Sequence, residues 1–152
     1  MILSTYGSRA LHPEREGDLL AMWLAAKDTL LQGIGHAFGL HRTHERVQER
    51  CLECVAILVT CWPELGMRLL HMRMFNDVCF AMRAFRDRAT VQRAGLRALC
   101  AVASSDPLCR TRVHADLHLV ELELITQKFS SEELEGEAAR LLGIIHPWPA
   151  FD

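Results

Sequence analysis

Apolar residues return every three or four positions along most of the chain, the period of a helix that buries one side. Leu19, Leu20, Trp23 and Leu24 form the first such face, and Leu30, Leu31, Ile34 and Phe38 the second. Val47, Cys51, Leu52, Val55 and Leu58 follow, then Leu69, Met72, Phe75, Val78 and Met82. Further on come Val91, Leu96, Leu99 and Val102, then Val113, Leu117, Val120 and Leu124, and last Leu134, Ala138, Leu141 and Ile145. No stretch of strand length alternates apolar with polar residues, so the pattern predicts an all-α fold.

The interruptions agree. Pro13, Pro63, Pro107 and Pro147 each fall between two apolar faces. Proline at the first helical position loses no hydrogen bond, because that N–H has no partner within the helix. Asp106 before Pro107 predicts an N-cap and Ser130 with Glu133 a capping box. Thr43 and Thr90 are the N-caps expected for two further helices.

These prolines lie 50, 44 and 40 residues apart, which prompts a comparison of the chain with itself. A displacement of 44 sets Val47 on Val91, Gln48 on Gln92, Leu52 on Leu96 and Pro63 on Pro107. A displacement of 43 carries Leu99 and Val102 onto Leu142 and Ile145. The expected organisation is an N-terminal extension over 1–12, a repeat domain over 13–149, and a tail over 150–152. The units fall near 13–61, 62–105 and 106–149.

Composition narrows the classes. The 152 residues are 50% hydrophobic and 24% charged, which is globular composition and excludes a disordered tail. The longest run without Asp, Glu, Lys or Arg, Thr29 to His41, is too short and too polar to span a bilayer, so no membrane partner is expected. Met1 to Leu11 lacks the apolar core of a secretory leader, and the expected compartment is the cytoplasm, with the six cysteines reduced. The net charge of −2 conceals a basic middle, 12 basic against 7 acidic residues over 41–112, and an acidic end, 2 against 8 over 113–152. A nucleic-acid binder would be basic throughout a domain, so nucleic acid is disfavoured as a ligand.

Thr90 to Ala103 (TVQRAGLRALCAVA) resembles the third helix of an armadillo repeat, with its Val-Gln pair followed by a Leu-rich face. Asp106-Pro107 and Val113 to Leu124 (VHADLHLVELEL) resemble the first and second helices of the next repeat. The family's glycine between first and second helices is replaced by Asp28, Met72 and Asp116, which keeps the related two-helix HEAT-like repeat open. The resemblance implies a short right-handed α-solenoid of about three armadillo-like repeats, acting as a non-enzymatic adaptor or scaffold. In that family the third helices line a concave groove, where a Trp and an Asn often grip an extended peptide. Glu53, Arg97 and Arg140 stand at the Trp position, and Ile57, Ala101 and Ile144 at the Asn position. The groove that recognises basic nuclear-import peptides is therefore not expected.

The same row carries Glu49, Glu53, Arg93, Arg97 and Arg140. Arginine grips carboxylate or phosphate in bidentate geometry, so a protein or peptide partner with an acidic or phosphorylated segment fits this line. A solvated helix face explains the same residues.

Two other readings stand beside the adaptor. One is a homodimerising helical structural subunit. The other is a zinc-binding helical domain using His41, His44, Cys51 and Cys54, residue types that zinc favours. His44 and Cys51 on one helix would stand on the order of 10 Å apart, too far for one ion. The chain lacks the phosphate-binding loop, the H-E-x-x-H pair and the G-x-S-x-G elbow, and no cofactor is expected. Trp148 and Phe151 of the tail are expected to cap the last unit or to bind a partner.

Overall fold

In the computed structural model, which describes residues 13–117 and 122–146, every regular element is a helix. In order these are α1 (Pro13–Leu40), α2 (Glu45–Cys61), α3 (Leu65–His71), α4 (Met74–Ala84), α5 (Ala89–Ser105), α6 (Pro107–Asp116), α7 (Leu122–Lys128) and α8 (Glu132–Ile145). Val120 and the tail with Trp148 and Phe151 lie outside the described residues, as does 1–12.

Helix α5 is the centre of the packing. It lies between α2 and α8, with α4 and α6 against its inner side. Its sequence suits that place: Val91, Ala94, Gly95, Leu96, Ala98, Leu99, Cys100, Val102 and Ala103 are all buried. The small residues let neighbouring helices approach closely. A Cβ added at Gly95 would stand 2.4 Å from the Met82 side chain, and one at Gly66 of α3 would stand 2.1 Å from Ser105 Oγ. The predicted faces supply the rest of the core, including Leu31, Phe38, Leu52, Val55, Leu69, Phe75, Val78, Val113, Leu134 and Leu141.

The link into each row helix repeats in detail. His41 N–H donates to Ala37 O, Phe85 N–H to Ala81 O, and Phe129 N–H to Ile125 O, all at 3.1 Å and 44 residues apart. Residues His44 and Arg88 cap α2 and α5 in matching extended conformations. Before α8 the link is one residue shorter, and Ser131 takes the cap position. Asp106 accepts from Leu108 N–H at 2.7 Å with Pro107 opening α6, as the sequence predicts. The other expected caps are corrected. Thr43 sits in the turn before His44, Thr90 lies inside α5, and Ser130 precedes the cap residue Ser131.

A buried glutamine ties each of the first two links together. Gln48 Nε2 donates to Phe38 O at 3.1 Å and His41 O at 2.8 Å. Gln92 Nε2 donates to Met82 O at 2.7 Å and Phe85 O at 2.9 Å. Helix C-termini leave carbonyls without intrahelical partners, and burying them unpaired is costly. Each glutamine bonds one of them, Phe38 O or Met82 O, and adds a second donor to His41 O or Phe85 O, which also accepts from the His44 or Arg88 N–H. With two oxygens facing it, the amide must present its nitrogen. At the third link the corresponding residue is Glu135, exposed to solvent.

Two departures from the expected pattern matter. First, α1 runs unbroken through Asp28, whereas 44 residues later the chain turns at Met72 between α3 and α4. That turn is made by Arg73 at φ 59°, ψ 17°, a left-handed conformation that costs a side-chain-bearing residue roughly 1–2 kcal/mol. The glycine-like position is thus Arg73, one residue after Met72. Second, the face Leu19, Leu20, Trp23 and Leu24 is not core: these residues are 46–62% exposed. Periodicity identified a helix face correctly, but no described element packs against it.

Replacing Gln92 by Leu should remove both bonds and leave the buried Met82 carbonyl without this donor, while Phe85 O keeps its bond from Arg88 N–H, lowering the unfolding free energy by about 1–2 kcal/mol. Urea denaturation measures this, and a loss comparable to that of an exposed-site substitution would contradict the role given to the amide.

Candidate interaction surface

Because α5 is flanked on both sides, it shows solvent a narrow stripe: Arg93, Arg97, Ala101 and Ser104. The corresponding stripe on α2 is Glu49, Glu53, Ile57 and Thr60, and on α8 it is Gly136, Arg140 and Ile144. The structure therefore brings the five charged residues of interest onto one face of three neighbouring helices.

Their charges are engaged, some between helices and some along one helix. Arg93 pairs with Glu133, and Arg97 Nε donates to Glu137 Oε1 at 3.0 Å. Arg140 approaches the other oxygen of Glu137 at 3.9 Å, so Arg97 and Arg140 converge on one carboxylate. Glu53 pairs with Arg50 at 2.7 Å along α2, and Glu49 lies 3.4 Å from the Thr90 hydroxyl. Most of these side chains are substantially exposed, so each pair contributes no more than about 1 kcal/mol. Their main effect is alignment. An acidic ligand on this face would share or displace the Glu133 and Glu137 carboxylates.

In the sequence Glu133 reads as part of a capping box and Glu137 as one more acid near a helix start, favourable to the dipole. The missed signal is a spacing. Arg93–Glu133, Arg97–Glu137 and Asp28–Arg68 all lie 40 positions apart, one repeat less about one helical turn. Opposite charges at that distance face each other between α1 and α3 and between α5 and α8.

Pairs at the start of the second unit anchor the middle of α1. Arg68 Nε donates to Asp28 Oδ1 at 2.9 Å, and its guanidinium holds the Asp28 carboxyl below the usual carboxylate range. Lys27 pairs with Glu64 at 2.6 Å, lowers its carboxyl likewise, and sits 5.0 Å from the Trp62 ring centroid.

A groove of about 610 Å³ opens between α1 and α2, over Leu30, Ile34, Val47 and Cys51, with Arg46 and Arg50 beside it. It lies on the side of α2 away from α5. The equivalent side of α5 is covered by α2, and that of α8 by α5.

The zinc candidates do not form a centre here: among the described residues no three His, Cys, Asp or Glu side chains are grouped to hold a metal ion. Cys51 is buried and Cys54 exposed, although they are one helical turn apart. Burial, with a smaller contribution from Cys54, pushes the Cys51 thiol up to about 11, which opposes the thiolate a metal needs. Burial raises Cys79 and Cys100 to about 11 as well. No described helix is long and apolar enough to cross a membrane.

Comparison with family models, curated proteins and solved structures finds no match for this chain.

The thiols should divide by burial. At pH 8, Cys54 and Cys61 should react readily with an aromatic disulfide reagent, and Cys51, Cys79, Cys100 and Cys109 only on unfolding. Between the ordinary thiol value of 9.0 and about 11, the unfolded chain releases protons that the folded chain keeps. Stability should therefore fall as pH rises across that window and level off above it. Rapid titration of four or more thiols at pH 8 would contradict this burial.

Proposed function

We propose that the protein is a non-enzymatic interaction module, a short right-handed α-solenoid of armadillo-like repeats that presents its row of third helices to a protein or peptide partner. The observation that carries this reading is the link geometry, whose hydrogen bonds recur at 44 residues into α2, α5 and α8. Stacked helical repeats extend as a surface rather than closing around a pocket, and proteins built this way work by binding along it. The partner is an acidic or phosphorylated segment lying across Arg93, Arg97 and Arg140. The convergence of Arg97 and Arg140 on Glu137 supports that chemistry, because it places two guanidinium groups where one carboxylate already sits.

The adaptor reading expects a specific partner to be retained by the immobilised protein from a lysate of the source cells. Arg97→Glu combined with Arg140→Glu should abolish that retention. The exposed pairs carry little stability, so the melting temperature should stay within a few degrees of the parent, roughly what a change of 1 kcal/mol produces. Undiminished retention by the folded double variant would place the binding surface elsewhere.

A further inference from the structure

The first two and a half turns of α1 whose side chains are described carry large apolar groups that no element among the described residues covers. Residues 17–26 are exposed without interruption, among them Leu20, Met22 and Trp23 at 60–68%. The helix joins the body only from Lys27 and Asp28 onward, through their pairs with Glu64 and Arg68. Exposed apolar surface of this extent on a charged, globular protein marks a contact site.

The order of residues along this surface says what fits it. Leu19, Trp23, Ala26, Leu30, Gly33 and Ala37 follow each other at spacings of four, three, four, three and four, the alternation of a coiled-coil seam. All but Ala37 are exposed, and Ala37 is half-buried. The positions are symmetric about residue 28: 19 with 37, 23 with 33, and 26 with 30. Every such pair joins a large residue to a small one, Leu19 to Ala37, Trp23 to Gly33, and Leu30 to Ala26. An antiparallel copy of the same helix therefore fills each layer, whereas a parallel copy would set Trp23 against Trp23 and leave Gly33 facing Gly33.

We infer that this face is a homodimer interface, in which α1 packs antiparallel against α1 of a second copy over about 27 Å, from Leu19 to Ala37. Trp23 of each chain lies over Gly33 of the other, at the mouth of the groove floored by Leu30, Ile34 and Val47. Charge follows size. Asp18, one residue before Leu19, is carried toward Arg46 and Arg50 of the partner subunit, which stand beside that groove. The interface is isologous, so each contact occurs twice. It is independent of the charged face across α2, α5 and α8, and its test does not depend on that face binding anything.

Sedimentation velocity on the full chain tests the pairing. The parent chain should be a dimer at tens of micromolar. Trp23→Ala should weaken the dimer about tenfold or more by emptying a layer. Gly33→Leu should do the same by overfilling it, while leaving the monomer folded. A Cβ at Gly33 meets nothing within 4 Å, so the far-ultraviolet helical signal of this variant should not fall. The double variant Trp23→Ala, Gly33→Leu exchanges the large and small members of the layer and should recover dimer. A monomeric parent chain, including one whose residues 1–12 cover this face, would overturn the proposal. So would dimers in both single variants, or no recovery in the double variant.

Discussion

The fold depends on one interaction used twice: a glutamine amide, buried at the start of a row helix, holding two carbonyls at the end of the helix before it. Gln48 and Gln92 are 1% and 0% exposed, and each reaches back the same ten and seven residues to its acceptors. A buried amide is expensive unless bonded, so the residue is tolerated only where the chain turns in this way. In return it fixes the angle between successive helices and hence where α2 and α5 lie. Both Oε1 atoms are buried without a hydrogen-bond partner among the described residues, an expense offset by the two hydrogen bonds that each Nε2 donates. The third link, with Glu135 at the matching place, is held by α8 packing on α5 and α6 instead.

Once the links are set, the remaining interactions fall into register. Small residues on α5 admit its neighbours, and the Met82 side chain occupies the space a side chain at Gly95 would take. Opposite charges 40 positions apart then meet between α1 and α3 at Asp28–Arg68, and between α5 and α8 at Arg93–Glu133 and Arg97–Glu137. These exposed pairs contribute little each, and they follow the packing rather than create it. The same register leaves the outer side of α2 and the start of α1 without the neighbour that the later row helices have.

The helical faces, the Asp106 cap and the alignment of Gln48 with Gln92 were legible in the sequence, because each is a local pattern or a direct self-comparison. The role of the glutamines was not, since it lies in contacts to carbonyls that any residue carries. Helix starts at His44 and Arg88 were misplaced onto Thr43 and Thr90 for a related reason. Neither true cap residue uses its side chain, and the turn is held from Gln48 and Gln92 instead. Arg73 escaped notice because its left-handed turn lacks the glycine that would have announced it. Leu19 to Leu24 show the limit of periodicity, which identifies a face without saying what covers it. Glu49, Glu53, Arg93, Arg97 and Arg140 were placed on one surface by the repeat alone, but that Arg97 and Arg140 share Glu137 required the structure.

The glutamine amides can be observed directly. The chain contains four glutamines, Gln32, Gln48, Gln92 and Gln127, and one asparagine, Asn76, so a sample labelled at glutamine alone gives four pairs of side-chain amide signals. Gln32 and Gln127 are exposed. In nuclear magnetic resonance spectra, the Nε2 protons of Gln48 and Gln92 should exchange with water far more slowly than those of Gln32 and Gln127. They should also show couplings across their hydrogen bonds to the carbonyls of Phe38, His41, Met82 and Phe85. Four pairs exchanging at the rate of free amides would contradict the account, because the turns into α2 and α5 would then not be held as described.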